Sequence, residues 1–377
     1  MGVVLHTRAM RRYSYWESEL PPEVPPPSEL PARVDVLIVG AGFMGRWLAW
    51  FLSKLSNPPR TLVIERDRFS YGASTRNAGF LTCGQASEML ADAAEVGIDR
   101  VLETFLLRRK GIALVRGEFP GLELDECGST DYDEVTQQTR ELVTALNRAA
   151  GEEVYSVRTA QLGDDVRPVV FNRADAGVHP VRLLRALQDG VAAEYAFGVK
   201  LLRIGDGTAT LATASTQHEL RYSRAFVCVN AFAGELDASS PVQPGRGQVI
   251  VTSPVQTQTD QTLGYLNHGY DYFRFVDGRL LLGGGRHIFR AAESTRELEG
   301  TPAVRDYLQQ LAQSIVGNSH WQIDHHWAGI MGFIGGSHLG GSPRRSVDAS
   351  TEYVAGFGGM GVALAPVYAQ QIAQELK

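Results

Sequence analysis

The stretch Val34-Asp35-Val36-Leu37-Ile38-Val39-Gly40-Ala41-Gly42-Phe43-Met44-Gly45 decides the fold. Apart from Asp35 its first six residues are apolar and rich in β-branched side chains, the composition of a buried strand. Three glycines follow in the pattern GxGxxG. Residues 42–55 then keep helical length, apolar on several sides, until Asn57-Pro58-Pro59 stops them. Thr61-Leu62-Val63-Ile64-Glu65 reads as the next strand, which completes one βαβ unit in about 32 residues and predicts a parallel sheet. In such a unit Gly40 permits the tight turn, Gly42 lets backbone approach a pyrophosphate, and Gly45 lets helix and strand pack closely. The first helical residues, Phe43 and Met44, belong to a helix start whose free N–H groups and partial positive charge favour phosphate. Glu65, with Arg66 after it, ends the second strand twenty residues beyond Gly45. Its carboxylate suits ribose hydroxyls and repels a 2′-phosphate.

At 377 residues the chain has room for about two domains. Its hydrophobic fraction of 44% supports a sizeable core, and its 40 glycines exceed the ordinary share of about 7%. A net charge of −6 argues against a nucleic-acid partner, because no basic surplus exists to neutralise phosphates. Cys83, Cys127 and Cys228 are far apart, odd in number and without a CxxC pair, so reduced thiols and a cytoplasmic location are expected rather than disulfides or zinc. The longest apolar stretch, residues 47–52, falls far short of the ~18 residues that a membrane span needs. Arg11-Arg12 is not followed by the apolar region of an export signal.

Outward from the βαβ unit, residues 1–33 read as a proline-rich arm, with Tyr13, Tyr15 and Trp16 available to pin it to the body. Helices are predicted over residues 87–116, interrupted near Gly97 and Gly111, and over 133–150. Another begins near Pro180. Successive strands are predicted over 199–204, 208–214, 219–221, 225–230, 248–253, 272–276, 279–282 and 351–355. Asp277-Gly278 is a strong hairpin signal. Residues from 361 onward read as a terminal helix.

Two further segments choose between dinucleotides. Gly72-Ala73-Ser74-Thr75-Arg76-Asn77-Ala78-Gly79 follows the Glu65 strand closely, and its small and polar residues suit a pyrophosphate and ribityl chain. Gly356-Phe357-Gly358-Gly359-Met360-Gly361 forms a second glycine-rich strand-to-helix turn more than 300 residues after the first. A helix start there faces naturally toward the flavin edge that gains negative charge on reduction. Two such turns favour FAD over NAD.

These segments, together with Asp175-Ala-Gly-Val-His-Pro-Val-Arg-Leu, Val227-Cys-Val-Asn-Ala, Arg246-Gly-Gln-Val, Gly278-Arg-Leu-Leu-Leu-Gly-Gly-Gly and Trp327-Ala-Gly-Ile-Met-Gly, resemble the FAD-dependent D-amino-acid oxidase family. That family includes glycine oxidase, sarcosine oxidase and gamma-glutamylputrescine oxidase; Tyr13-Ser-Tyr-Trp-Glu and the Gly-Ala-Ser-x-Arg-Asn signature lean toward the last. The resemblance covers nearly the whole chain. It implies an α/β fold, in which a Rossmann-like FAD domain of the D-amino-acid oxidase/glutathione reductase type joins a second, sheet-based α+β substrate domain. The FAD domain would be discontinuous (34–90, 175–240 and 322–377), and 91–174 with 241–321 would form the substrate domain. By position, Gly40, Gly42, Phe43, Met44, Gly45, Glu65, Arg66, Ala73, Ser74, Arg76, Asn77, Ala78, Gly79, Val199, Asn230, Ala231 and Gly329 would bind FAD. Gly358, Gly359, Met360, Gly361 and Val362 would hold the flavin ring, and Val199 would reach the adenine through its backbone.

The implied activity is hydride transfer from the carbon beside an amine nitrogen to the flavin, with the imine then hydrolysed. Dioxygen is the expected acceptor of the electrons and a small amine or amino acid the expected substrate. An amine dehydrogenase using another acceptor, or a non-catalytic FAD-binding subunit, stays open. A lysine that promotes the dioxygen reaction in sarcosine oxidases would fall near Leu281. Non-covalent FAD is expected, because residues 329–333 hold no cysteine and the Asn77 loop no histidine. The family's carboxylate-binding positions fall on Met331, Phe80 and Ala363, all apolar here, which favours an amine whose carbon carries no carboxylate. Arg274 or Arg286 could serve instead.

No single catalytic side chain stands out. Tyr270, Tyr272 and Arg274 share one face of a strand by alternation. His287 reads either as a pocket contact or as a satisfied histidine. Met331, Phe333 and Met360 suit an apolar cavity or a core. His325-His326, near His320 and His338, cannot chelate one ion well, since adjacent strand residues face opposite ways, so no metal is expected.

Overall fold

A computed structural model describes residues 14–20, 27, 29–317, 320–335 and 341–377. Arg11, Arg12, Tyr13 and His338, named above, lie outside the described residues. The opening unit is as expected: β1 (Arg33–Val39), α1 (Phe43–Ser53) and β2 (Thr61–Glu65). β1 is flanked on both sides by parallel neighbours, β2 and the strand Gln217–Val227. Such a strand has no solvent face, which is why Leu37 and Ile38 are both fully buried although they point opposite ways. β2 pairs with Glu194–Phe197, and Gln217–Val227 pairs with Thr351–Val354, which carries the edge strand Arg344–Ser346.

Gln217–Val227 is one eleven-residue strand, where two separate pieces at 219–221 and 225–230 were predicted. Its first half pairs antiparallel with Thr208–Ala212, while its second half runs parallel to β1. The charged Arg221 and Arg224 between the two halves made one element look like two.

The second sheet is mostly antiparallel. Its order is Ile323–Ile334, Val242–Pro254, Arg279–Gly284, Asp271–Val276, Leu263–Leu266, Ser129–Asp131, Asp165–Asn172 and Tyr155–Leu162. Asp277 and Gly278 take φ of +52° and +69°, the left-handed pair of a two-residue hairpin turn, as predicted. Ile323–Ile334 lies in a segment expected to group with the first sheet, yet it pairs with Val242–Pro254 over its length.

Several helices depart from expectation. α2 (Ala73–Arg76) is a short turn of helix inside the predicted loop. α3 (Ala86–Val96) and α4 (Ile98–Glu118) break only at Gly97, whose φ is +84°. Gly111 does not interrupt α4: a Cβ there would lie 1.6 Å from the Ala363 carbonyl oxygen, so its absence lets α4 lie against the terminal helix Gly361–Glu375. The helix predicted over 133–150 starts at Gln137, because Thr136 caps it and Asp133 instead accepts from the amides of Asn267 and His268. The helix Pro302–Val316 and the strands Tyr155–Leu162 and Asp165–Asn172 were not predicted.

α1, α4 and the terminal helix cover one face of the first sheet, with Trp47, Leu48 and Phe105 fully buried among them. Losing a ring such as Trp47 costs about 3–5 kcal/mol. Pro302–Val316 covers the second sheet through Val304, Leu308, Ala312 and Ile315. Residues of both sheets line the site.

Candidate active site

A cavity of about 490 Å³ runs from the carboxyl ends of β1 and β2 to the inner face of the second sheet. At its first end Gly40 takes φ of +104°, and a Cβ there would lie 2.7 Å from the Cys228 carbonyl oxygen. A Cβ on Gly42 would lie 2.8 Å from Ser74 Oγ, which accepts from the Phe43 amide at 2.9 Å. The loop around α2 is thereby tied to the glycine turn. Glu65 accepts from the amides of Ala41 (3.0 Å) and Asp67 (3.3 Å), while burial raises its carboxyl above the usual range. Arg66 lies over the Phe232 ring and pairs with Glu235, and all three line this end. Val199 lines it too, but its amide is already donated to the Glu65 carbonyl at 2.9 Å, which leaves its carbonyl and side chain as contacts.

Met44, Ala73, Arg76, Asn77, Ala78, Asn230 and Gly329 line the middle of the cavity, as do Gly358, Gly359, Met360, Gly361 and Val362. Asn77 orders its own loop: its side-chain amide donates to the carbonyls of Ala73 and Ser74, and its Oδ1 accepts from the Gly79 amide. Gly358 donates its amide to the Gly332 carbonyl at 2.8 Å, which joins the second glycine turn to the Ile323–Ile334 strand.

The far end is largely apolar. Phe80, Tyr265, Tyr272, Met331 and Phe333 line it, with Phe80 edge-on to both tyrosines. Burial, aided by Asp271, pushes the Tyr272 hydroxyl up to about 12, so it is a neutral wall. Arg286 enters from the end of the glycine run 283–285. Its guanidinium sits 4.2 Å from the Phe333 ring and 5.7 Å from that of Tyr270. Burial lowers its pKa, and no hydrogen bond or ion pair joins it to any described residue. The Tyr265 hydroxyl, beside Thr82, and Gln85 Oε1 are buried and line the same end, and Gln85 Oε1 finds no hydrogen-bond partner among the described residues.

Five predicted residues do not line the cavity. Gly45 lies behind the turn, where a Cβ would be 2.0 Å from the Gly40 carbonyl oxygen; its role is close packing. Gly79 and Ala231 are one layer back. Arg274 shares the strand face of Tyr272 but is consumed structurally: it donates to the carbonyls of Gly79 (2.7 Å) and Val178 (3.2 Å) and approaches Asp125. His287 turns away onto the rings of Tyr270 and Tyr307. His325 and His326 diverge as expected, one edge-on to Tyr15 and the other on Gln248.

Sequence reading missed Gln85, Glu88 and Tyr265 as lining residues, and Asp271 as the anchor behind them. Fully buried Asp271 accepts from the Gly285 amide, the Tyr307 hydroxyl and Asn267, and so fixes the base of Arg286. The one signal for it was an acid opening a strand that carries three aromatics.

The donor set fits a dinucleotide with an attached flavin. It offers a glycine turn that any Cβ would fill, a buried acid beside it, and an apolar slot lined by Met331, Met360 and two glycine-rich segments. The family of FAD dependent oxidoreductases matches residues 35–375. No curated protein matches the chain. Among solved structures, L-proline dehydrogenase from P. horikoshii is similar at TM-score 0.74 and 16% identity, over 92% of this chain and 94% of that one. Glycine oxidase from Geobacillus kaustophilus is similar at TM-score 0.69 and 19% identity, over 91% and 94%. L-amino acid deaminase from Proteus vulgaris, with its specific insertion sequence deleted, gives 0.71 and 15%, over 94% and 93%. At these identities the likeness establishes the shared fold. No helix among the described residues is long and apolar enough to cross a membrane.

Proposed function

The chain belongs to the family of FAD dependent oxidoreductases, and from that premise we propose that it oxidises the C–N bond of a small amino acid, with FAD held non-covalently and dioxygen as acceptor. Arg286 carries the substrate reading. A half-buried guanidinium between two rings, with no ion pair to any described residue and only the longer-range attraction of Glu88, favours a carboxylate ligand that it can hold bidentately. That argument selects the amino acid over the carboxylate-free amine, the other candidate.

Bound FAD supplies the acceptor for the hydride that leaves the carbon beside the nitrogen. Gly40, Gly42 and the helix start would hold the phosphates of FAD and Glu65 its ribose, while Ser74 and Asn77 order the neighbouring loop. Phe80, Tyr272, Met331 and Phe333 exclude water from the far end, which favours the neutral amine that hydride loss requires. In this reading Gln85 Oε1 accepts from that amine and the Tyr265 hydroxyl donates to the carboxylate, which is supported by both atoms being buried at the cavity. Non-covalent attachment is supported by the cysteines. Cys228 lies beside Gly40 rather than at the far end, and burial raises its thiol away from the reactive thiolate.

Anaerobic mixing of the flavin-loaded protein with amino acids and with their decarboxylated amines tests this directly. Bleaching by amino acids alone, followed by return of the yellow colour in air, is the expected result. Bleaching by the simple amines at equal rates contradicts the role of Arg286. Bleaching that air does not reverse contradicts dioxygen as acceptor. Yellow colour retained in an acid-precipitated pellet contradicts non-covalent binding.

A further inference from the structure

α2 is a single turn of helix, so its carbonyls have few partners within the helix. Outside groups satisfy two carbonyls of the loop from one place, the 3-10 turn Tyr15–Glu19 of the N-terminal arm. Ser14 Oγ donates to the Thr75 carbonyl at 2.6 Å, and Trp16 Nε1 donates to the Asn77 carbonyl at 2.7 Å. Between these two bonds, Glu17 enters the loop. Its Oε1 accepts from Thr75 Oγ1 at 3.2 Å and lies 3.5 Å from Arg76 Nε, with both side chains essentially buried. Trp16 itself is 1% exposed and packs against Ala78, Val181 and Trp327.

The opposite side of this turn of chain faces other elements. Tyr15 donates to Asp277 at the hairpin of the second sheet, and Glu19 pairs with Arg182. The arm is therefore wedged between the second sheet, the helix Pro180–Gln188 and α2, with its most buried face on the loop of residues 72–79.

We propose that Ser14, Trp16 and Glu17 are positioning residues for FAD: the arm holds residues 72–79 in their binding geometry before the cofactor arrives. Without that brace the loop must be ordered during binding, and the ordering cost appears as weaker affinity. The inference rests on the reading that residues 72–79 face the dinucleotide.

The test is titration of flavin-free full-length protein with FAD, below the melting point of every variant. Ser14→Ala and Trp16→Phe each remove one donor and keep most of the packing. Both are expected to raise the FAD dissociation constant about tenfold, or about 1.4 kcal/mol. Tyr15→Phe, which loses only the bond to the second sheet, is expected to stay within twofold of the parent. Gly42→Ala, which crowds Ser74, is expected to lose FAD most strongly. If Ser14→Ala and Trp16→Phe bind FAD within twofold of the parent while Gly42→Ala does not, the brace is refuted and the cofactor site stands. If Gly42→Ala also binds normally, the cofactor site itself is refuted. A Tyr15→Phe loss equal to that of Trp16→Phe contradicts a brace directed at the loop.

Discussion

Arg286 and Arg274 show how little residue type says about role. Arg274 sits within one strand of the second sheet and Arg286 just past the end of its neighbour, and the partners of each guanidinium decide between them. Arg274 is spent on two carbonyls, whereas Arg286 reaches the cavity over Phe333. Replacing Arg286 by Met keeps much of the stem that packs on Phe333 and removes the charge. The expected result is loss of at least a hundredfold in kcat/KM toward the amino acid, about 2.7 kcal/mol, with FAD affinity unchanged by titration. A second residue-scale outcome concerns His326, whose pKa burial lowers from 6.5 to about 4. A depressed histidine pKa means the fold prefers the neutral ring. Its contribution is complete above pH 6.5 and is lost as pH falls from 6.5 through 4, up to about 3 kcal/mol. His326→Gln should flatten the pH dependence of urea unfolding by up to one proton across that window. An unchanged slope would contradict the assignment.

At the scale of elements, α4 carries a paired experiment. Gly111→Ala places a Cβ 1.6 Å from the Ala363 carbonyl oxygen, whereas a Cβ on Gly117 meets nothing within 4 Å. Gly117→Ala should stabilise by about 0.5–1 kcal/mol through helix propensity. Gly111→Ala should destabilise by about 2 kcal/mol or more, because overpacking outweighs the same propensity gain. Urea midpoints of the two variants check both signs. The same helix shows why sequence reading erred there: a glycine that breaks a helix and one that lets another helix approach look identical in one dimension. β1, α1 and β2 were legible because their signals are local. Tyr155–Leu162 was not, since it is only half buried and lacks a clean alternation. Pro302–Val316 was legible and overlooked, with Val304, Leu308, Ala312 and Ile315 at helical spacing behind a proline in the first turn.

For the whole molecule, the site is a product of distance in sequence. The cradle around Gly40, Glu65 and Ser74 could be read because its parts lie within one supersecondary unit. Gln85, Tyr265 and the Asp271 anchor could not, because strands from 129 to 334 must pair before they converge. Such convergence also couples cofactor binding to stability. FAD at a hundred times its dissociation constant should stabilise the fold by about 2.7 kcal/mol, read as a rise in melting temperature over the flavin-free protein. The central claim is that this cavity presents an amino acid, held by its carboxylate on Arg286, to bound FAD. The rate of anaerobic flavin bleaching by an amino acid and by its decarboxylated amine, in the parent and in Arg286→Met, tests it most directly. Fast bleaching is expected only for the amino acid with the parent protein, and equally slow bleaching by both compounds with the variant. Equal rates for the two compounds in the parent, or an undiminished amino-acid rate in Arg286→Met, would contradict it.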